Sequence, residues 1–342
     1  MKHTLVLAGA VAAAFLLGGC GHTTPVTSGS PTPAPPYVPN VSGEYPIPTA
    51  NSMPAGITKT TTALFFTEEA ADKLGVLSST ATITEYPLPV ANSKPLNITV
   101  GEDGNIWLTE FGGDRIAEFN LSNAAFTECT LPAQTAASPT PFGIAAGPDG
   151  NLWVTDPASN GIWRVAPGCG SFGFFALATP NAGPENITVG PNGALWFTEY
   201  NVDQIGEIFT DATPGVTQPT EFKVSAGAGL GVITSGSDSA IWFTETKSDK
   251  LGRMLTTGTL ASETALPGVS QPYGLANAPD GNFYIGDQAK SNIVQFITST
   301  GAVNVFPTKT ANAGPFWLTI GPDNEVYFTE QTANNIGQFR YF

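Results

Sequence analysis

Apolar and polar residues alternate in short bursts along this chain, and the bursts recur. "IWLTEFGGDRIAEF" (Ile106–Phe119), "LWFTEYNVDQIGEI" (Leu195–Ile208) and "VYFTEQTANNIGQF" (Val326–Phe339) are variants of one phrase. Each holds an apolar-aromatic run of strand length ending in an acid, then a short loop and a second strand. The acid falls at Glu68, Glu110, Asp156, Glu199, Glu245, Asp287 and Glu330, at spacings of 42, 46, 43, 46, 42 and 43 residues. Before the phrase stands a "P-x-[GN]-[IL]" strand, as at Pro95–Ile98 and Pro184–Ile187, and a turn such as "GPDG" (Gly147–Gly150). After it stands a strand such as "ITEYPLP" (Ile83–Pro89). That makes four short strands per copy, separated by Gly/Asn/Asp turns. Past the first twenty residues no segment sustains a helical period.

Seven copies of a four-stranded unit predict an all-β fold, a seven-bladed β-propeller. The last copy reaches Phe342 with three strands only, while "GEYPIP" (Gly43–Pro48) matches "TEYPLP". The N-terminal strand is therefore expected to complete the last blade and close the ring, which leaves no open edge. A solenoid of stacked repeats is the alternative, and the displaced strand argues against it. Phe65, Trp107, Trp153, Trp196, Trp242, Tyr284 and Tyr327 occupy one position of the second strand. They read as packing between blades rather than as a ligand platform.

The N-terminus lies outside the repeat. Residues 1–19 hold Lys2 and a short apolar run, and read as a signal peptide. "LGGC" (Leu17–Cys20) resembles the lipobox of bacterial lipoproteins, which implies cleavage before Cys20 and acylation of its thiol. Gly21 follows where the inner-membrane retention signal has Asp. In a Gram-negative host the expected address is the outer membrane, facing the periplasm or the cell surface. Residues 20–40, rich in Pro, Ser and Thr, read as a lipidated Cys and tether, and residues 41–342 as the propeller. The membrane is reached through the lipid alone, and a monomer is expected. Net charge is −15, with 13 basic residues in no cluster, which argues against nucleic acid as a partner. Cys129 and Cys169 are the two remaining cysteines; in an exported protein they pair or stay free, and spacing alone does not decide.

The phrase "GPNGALWFTEYNVDQIGEI", with "P-x-[GN]-I-T" before it and "TEYPLP" after it, resembles the virginiamycin B lyase (streptogramin lyase) family across residues 41–342. The resemblance implies a seven-bladed propeller and a Mg²⁺-dependent elimination that opens the ester of type B streptogramins. It also implies a histidine base and a partner histidine in the last two "P-x-G-I" motifs. Those positions here are Tyr273 and Phe316. A metal-associated Glu of the family corresponds to Gly314, and a Tyr to Ala55; only the acid Glu330 survives. The chain has two histidines, His3 in the signal and His22 in the tether. His-dependent lyase chemistry, a His-bearing triad and a His zinc site are therefore not expected in the domain.

Strand alternation is expected to bring the "x" residues and the seven acids to one opening of the central channel. The "x" residues are Ala55, Leu96, Phe142, Glu185, Gly231, Tyr273 and Phe316; Phe111 and Tyr200 follow two of the acids. Phe111, Phe142, Glu185, Tyr200, Tyr273 and Phe316 are the candidate ligand-binding set, an apolar wall with few polar groups. The acids recur in every copy, so the expected duty is structural: accepting backbone N–H bonds from the following loop. Glu185, Asn97 and Asn186 break the repeat and are the candidate oxygen ligands for Mg²⁺ or Ca²⁺. Glu185 and Glu330 are the candidate catalytic carboxylates. Three functions remain: a module binding a small molecule, peptide or envelope protein; a metal-assisted lyase or lactonase-like enzyme using carboxylates; and a purely structural or interaction role in the envelope.

Overall fold

A computed structural model describes residues 39–135 and 137–342. Cys20, the signal and the tether through residue 38 lie outside the described residues. The described chain forms seven four-stranded antiparallel sheets. Six are continuous in sequence: blade 1 (54–87), blade 2 (95–130), blade 3 (144–176), blade 4 (184–223), blade 5 (230–265) and blade 6 (272–307). Blade 7 joins Pro315–Ile320, Val326–Glu330 and Asn335–Arg340 to the N-terminal strand Asn40–Pro46. The expected closure is present, with its strand displaced. It starts three residues early because Val41, opposite Phe339, is buried. It stops at Pro46, and Ile47 N–H then bonds Asn334 O at 3.1 Å.

Burial explains the repeated phrase. The second strand of each blade is covered by neighbouring blades on both faces, and "LWFTE" (Leu195–Glu199) is buried at every position. Trp107, Trp153, Trp196 and Tyr284 are fully buried between blades, as expected. Their polar tips add a bond that the repeat did not announce: Trp107 and Trp153 donate to the turn acids Asp103 and Asp149, and Tyr284 to Asp280. Phe197 fills the space over Gly206 on the third strand; a Cβ there would meet its ring at 2.0 Å. That contact is why "Q-I-G-E" needs its glycine.

The first strands of successive blades pack on one another around the ring. In blades 1, 2, 4, 5, 6 and 7 this strand is bulged just after its start, as between Pro95 and Ile98. A bulge removes two residues from the ladder, and their backbone groups need other partners. The threonine of the second strand supplies them. Thr109 Oγ1 accepts from Asn97 N in its own blade at 3.0 Å and donates to Phe142 O in the next blade at 2.8 Å. Thr67, Thr155, Thr244 and Thr329 repeat the arrangement. Thr329 bonds Ala55 O and so ties the last blade to the first.

Cys129 of blade 2 and Cys169 of blade 3 are disulfide-bonded, with Cα atoms 5.4 Å apart. The pairing that spacing left open is thus made between neighbouring blades.

Replacing Thr329 by Val keeps the shape but strands the Trp317 N–H and the Ala55 carbonyl. Denaturant unfolding should show a loss of about 1–3 kcal/mol. Thr329→Ser, which keeps the hydroxyl, should lose much less; equal losses would mean the bridge is not what holds the closure.

Candidate functional site

The structure sorts the expected residues into groups. Phe111 and Phe142, from blades 2 and 3, meet edge to face with centroids 5.7 Å apart. Glu185, Asn186, Tyr200, Tyr273 and Phe316 form a second group spanning blades 4, 6 and 7. Tyr273 and Phe316 stack at 4.4 Å with planes 10° apart, and Trp317 stands at 6.0 Å from each. Asn186 is buried and its Nδ2 bonds Gly231 O at 3.0 Å. The Glu185 carboxylate and the Asn186 amide both act on the Tyr273 hydroxyl, which burial first of all pushes above its ordinary pKa.

Two members of this group were missed in the sequence. Trp317 sits one residue beyond the "x" position. Lys247 lies two residues after the acid Glu245, the one lysine at that place in any copy. Its Nζ stands 4.3 Å over the Tyr200 ring, a cation–π contact. Gly229, at φ 61°, leaves the space that the Lys247 stem occupies; a Cβ there would meet Lys247 Cγ at 2.6 Å. Lys247 also attracts the part-buried Glu185 carboxylate. Burial outweighs that attraction and pushes Glu185 up to about 7.

The seven acids do not line the opening. All are fully buried, and their partners lie on the third strand, on its turn and in the segment that leads into the first strand, as where Thr140 N donates to Asp156 and Ser270 N to Asp287. Asp156 accepts from Ser159 N at 3.1 Å and from Trp163 Nε1 at 3.0 Å; Asp287 accepts from Lys290 N at 3.3 Å. These two take the expected backbone bonds. Glu199, Glu245 and Glu330 accept instead from side chains: Gln204, Ser248 and Asn335. Glu330 is therefore fully buried, with one oxygen taken by Asn335.

A divalent cation was tested against the residues present. Mg²⁺ and Ca²⁺ take several oxygen ligands, usually with more than one carboxylate. Here Glu185 is the one carboxylate of the group, and it faces Lys247. Asn97 Oδ1 is taken by Ile98 N at 2.7 Å. Gly314 offers no side chain. Among the described residues no group of three or more His, Cys, Asp or Glu could hold a metal ion. The donor set does not fit Mg²⁺ or Ca²⁺.

The virginiamycin B lyase family model matches residues 40–139 and 214–341. The chain belongs to the virginiamycin B lyase family. A streptogramin B lyase superposes with TM-score 0.80 at 28% identity, covering 87% of this chain and 96% of that one. Virginiamycin B lyase from Staphylococcus aureus superposes with TM-score 0.81 at 26% identity, covering 88% and 99%. A catalytically inactive histidine-to-alanine form of that enzyme, crystallised with quinupristin, matches equally. Hydrazine synthase from Kuenenia stuttgartiensis, at 17% identity and TM-score 0.67, covering 86% and 97%, shares the fold. A comparison with curated protein sequences found no match. Against its family, this chain has Tyr273 and Phe316 at the positions where the resemblance puts histidines.

The buried acids set a pH dependence. Burial, then the Glu85 carboxylate, raises Glu68 to about 8; burial raises Glu110, Glu199 and Glu330 to about 7, from an ordinary value of 4.5. The folded state thus binds more protons than the unfolded chain between these values. The stabilisation is fully present below about 4.5 and is lost as pH rises through about 7–8. Thermal midpoints should fall from pH 5 to pH 8, and Glu68→Gln should flatten the slope. A midpoint that rises over this range would contradict the assignment.

Proposed function

We propose that this propeller is an exported, lipid-anchored binding module whose ligand sits at the mouth between blades 4 and 7. The observation that carries this reading is the Tyr273–Phe316 stack, flanked by Trp317, where a lyase of this family is expected to hold its base and partner. An aromatic wall with Glu185 and Lys247 at its edge suits a ligand with an aromatic or cyclic apolar body and one polar group. The ligand is a small molecule, a peptide or an envelope protein. Export and anchoring rest on the lipobox resemblance at Leu17–Cys20, with the outer membrane as address in a Gram-negative host.

One observation favours a second reading. Glu185, held near neutrality by burial, meets the requirement that a general base titrate close to the working pH. In that reading Glu185 takes a proton from carbon beside an ester or lactone carbonyl, and Tyr273 or Lys247 steadies the charge that develops on the oxygen.

Quinupristin is the probe that separates the two, since the inactive Staphylococcus aureus enzyme was crystallised with it. Binding is read by tryptophan fluorescence, and the isomeric ring-opened product by chromatography with fragmentation. Saturable binding without product is expected, with about tenfold weaker binding for Phe316→Ala. A product abolished by Glu185→Gln would replace the binding reading with the enzymatic one. Neither binding nor product would sink the mouth as a site for this ligand class.

A further inference from the structure

Blades 7 and 1 leave a cavity of about 400 Å³ between them, at the strand ends opposite the mouth. Tyr45, Leu64, Leu77 and Tyr327 line its apolar side; Thr62, Ser78 and Asp323 are among its polar lining. Three other seams are filled at the equivalent place. Leu77 stands where blade 2 has Phe119 and blade 7 has Phe339. Phe119 packs 4.9 Å from Tyr86 of blade 1, and Phe339 packs 5.1 Å from Phe306 of blade 6. Between blades 3 and 4 the filler is Arg164, which lies over Trp153 and Phe175 and crosses to Thr210 O and Ala212 O. Gln338 holds Arg164's place in blade 7. It stays within its own sheet, bonded to Tyr45 and Glu325.

We propose that this seam binds a neutral saccharide ring. Two tyrosines and two leucines give a surface for the apolar face of a pyranose. The threonine and serine hydroxyls donate and accept, as sugar hydroxyls require. Asp323 adds an acceptor. Among the described residues no lysine or arginine lines the cavity; Glu325 behind Asp323 is paired with Arg340, so Asp323 and the net charge of −15 are what disfavour an anionic ligand. Asp323 already accepts from Tyr327 Oη at 2.8 Å and from Glu325 N at 3.1 Å, which weakens its pull on a cation. Ser78 Oγ already shares a bond with Thr80 Oγ1 at 2.9 Å and accepts from Thr82 N at 3.2 Å, so it meets a ligand as a further partner. Tyr45 belongs to the N-terminal strand that completes blade 7, while Leu64 and Leu77 belong to blade 1, so an occupant would also bridge the two blades at which the ring closes.

The test takes the full-length protein against glucose, galactose, N-acetylglucosamine and glucuronate. Ligand-observed NMR reads binding, and the thermal midpoint reads the clamp. At least one neutral sugar should bind and raise the midpoint. Leu77→Phe, which copies the filler of the sister blades, should weaken that binding about tenfold or more. Ser79→Trp, at an exposed turn on the cavity rim, should do the same and serves if Leu77→Phe fails to fold. The proposal is overturned by no neutral sugar binding at millimolar concentration, by glucuronate alone binding, or by binding that folded variants leave unchanged. Phe316→Ala, at the mouth, should leave sugar binding intact; a loss there would move the sugar site to the mouth.

Discussion

The hydroxyl of one threonine in each of five blades is what the architecture turns on. The bulge at the start of the innermost strand takes a carbonyl and an N–H out of the ladder near the axis, where water is scarce. Leaving either unpaired costs about 1–3 kcal/mol. Thr109 satisfies both, receiving from Asn97 N and donating to Phe142 O across the seam. One side chain thus stabilises the bulge of its own blade and fastens the next. The same bulge holds the "x" residue. Ring closure and the walls of the candidate site therefore share one cause, and the "T-E" of the repeated phrase is its visible trace.

The fold was legible because the constraint repeats. Blade count, strand count and the donation of the N-terminal strand follow from a period that a seven-fold ring must keep. The register of that strand was less legible, because Val41 and Phe339 pair through burial that no local pattern announces. The acids were half legible. Their structural duty could be read from recurrence, but not their direction. In five blades the threonine before the acid bonds the neighbouring blade, while the acid turns to partners of its own blade and its flanking loops. Asp287, Glu199 and Glu330 each accept from the side chain five residues on, Asn292, Gln204 and Asn335, and Asp156 and Asp287 accept from N–H groups of the turn as well.

The candidate site was legible only where it broke the repeat. Glu185, Tyr273 and Phe316 stand out as departures at one motif position, and the structure gathers them. Lys247 escaped because its place, two residues beyond the acid, carries no motif; its reach depends on Gly229 in a different loop. Asn97 looked like Asn186 in sequence. Its oxygen bonds the next residue's N–H, while the Asn186 amide crosses to blade 5. Identical letters at matching positions were separated by a side-chain rotation that depends on the neighbouring blade.

The departures from the threonine rule point to the same quarter of the ring. In blade 4 the Asn186 amide, not a hydroxyl, bonds the Gly231 carbonyl. In blade 6 the threonine is missing, and Gly286 stands in its place, where a Cβ would meet Pro315 O at 2.8 Å. Blades 6 and 7 thus approach backbone to backbone with no hydroxyl between them. That close seam is where Tyr273 and Phe316 stack at 4.4 Å. The aromatic pair holds together two bulges that elsewhere share a hydrogen bond, while its edges remain at the opening. A stacked pair that also joins two blades is held still, and it is this rigidity on which the proposed binding wall rests.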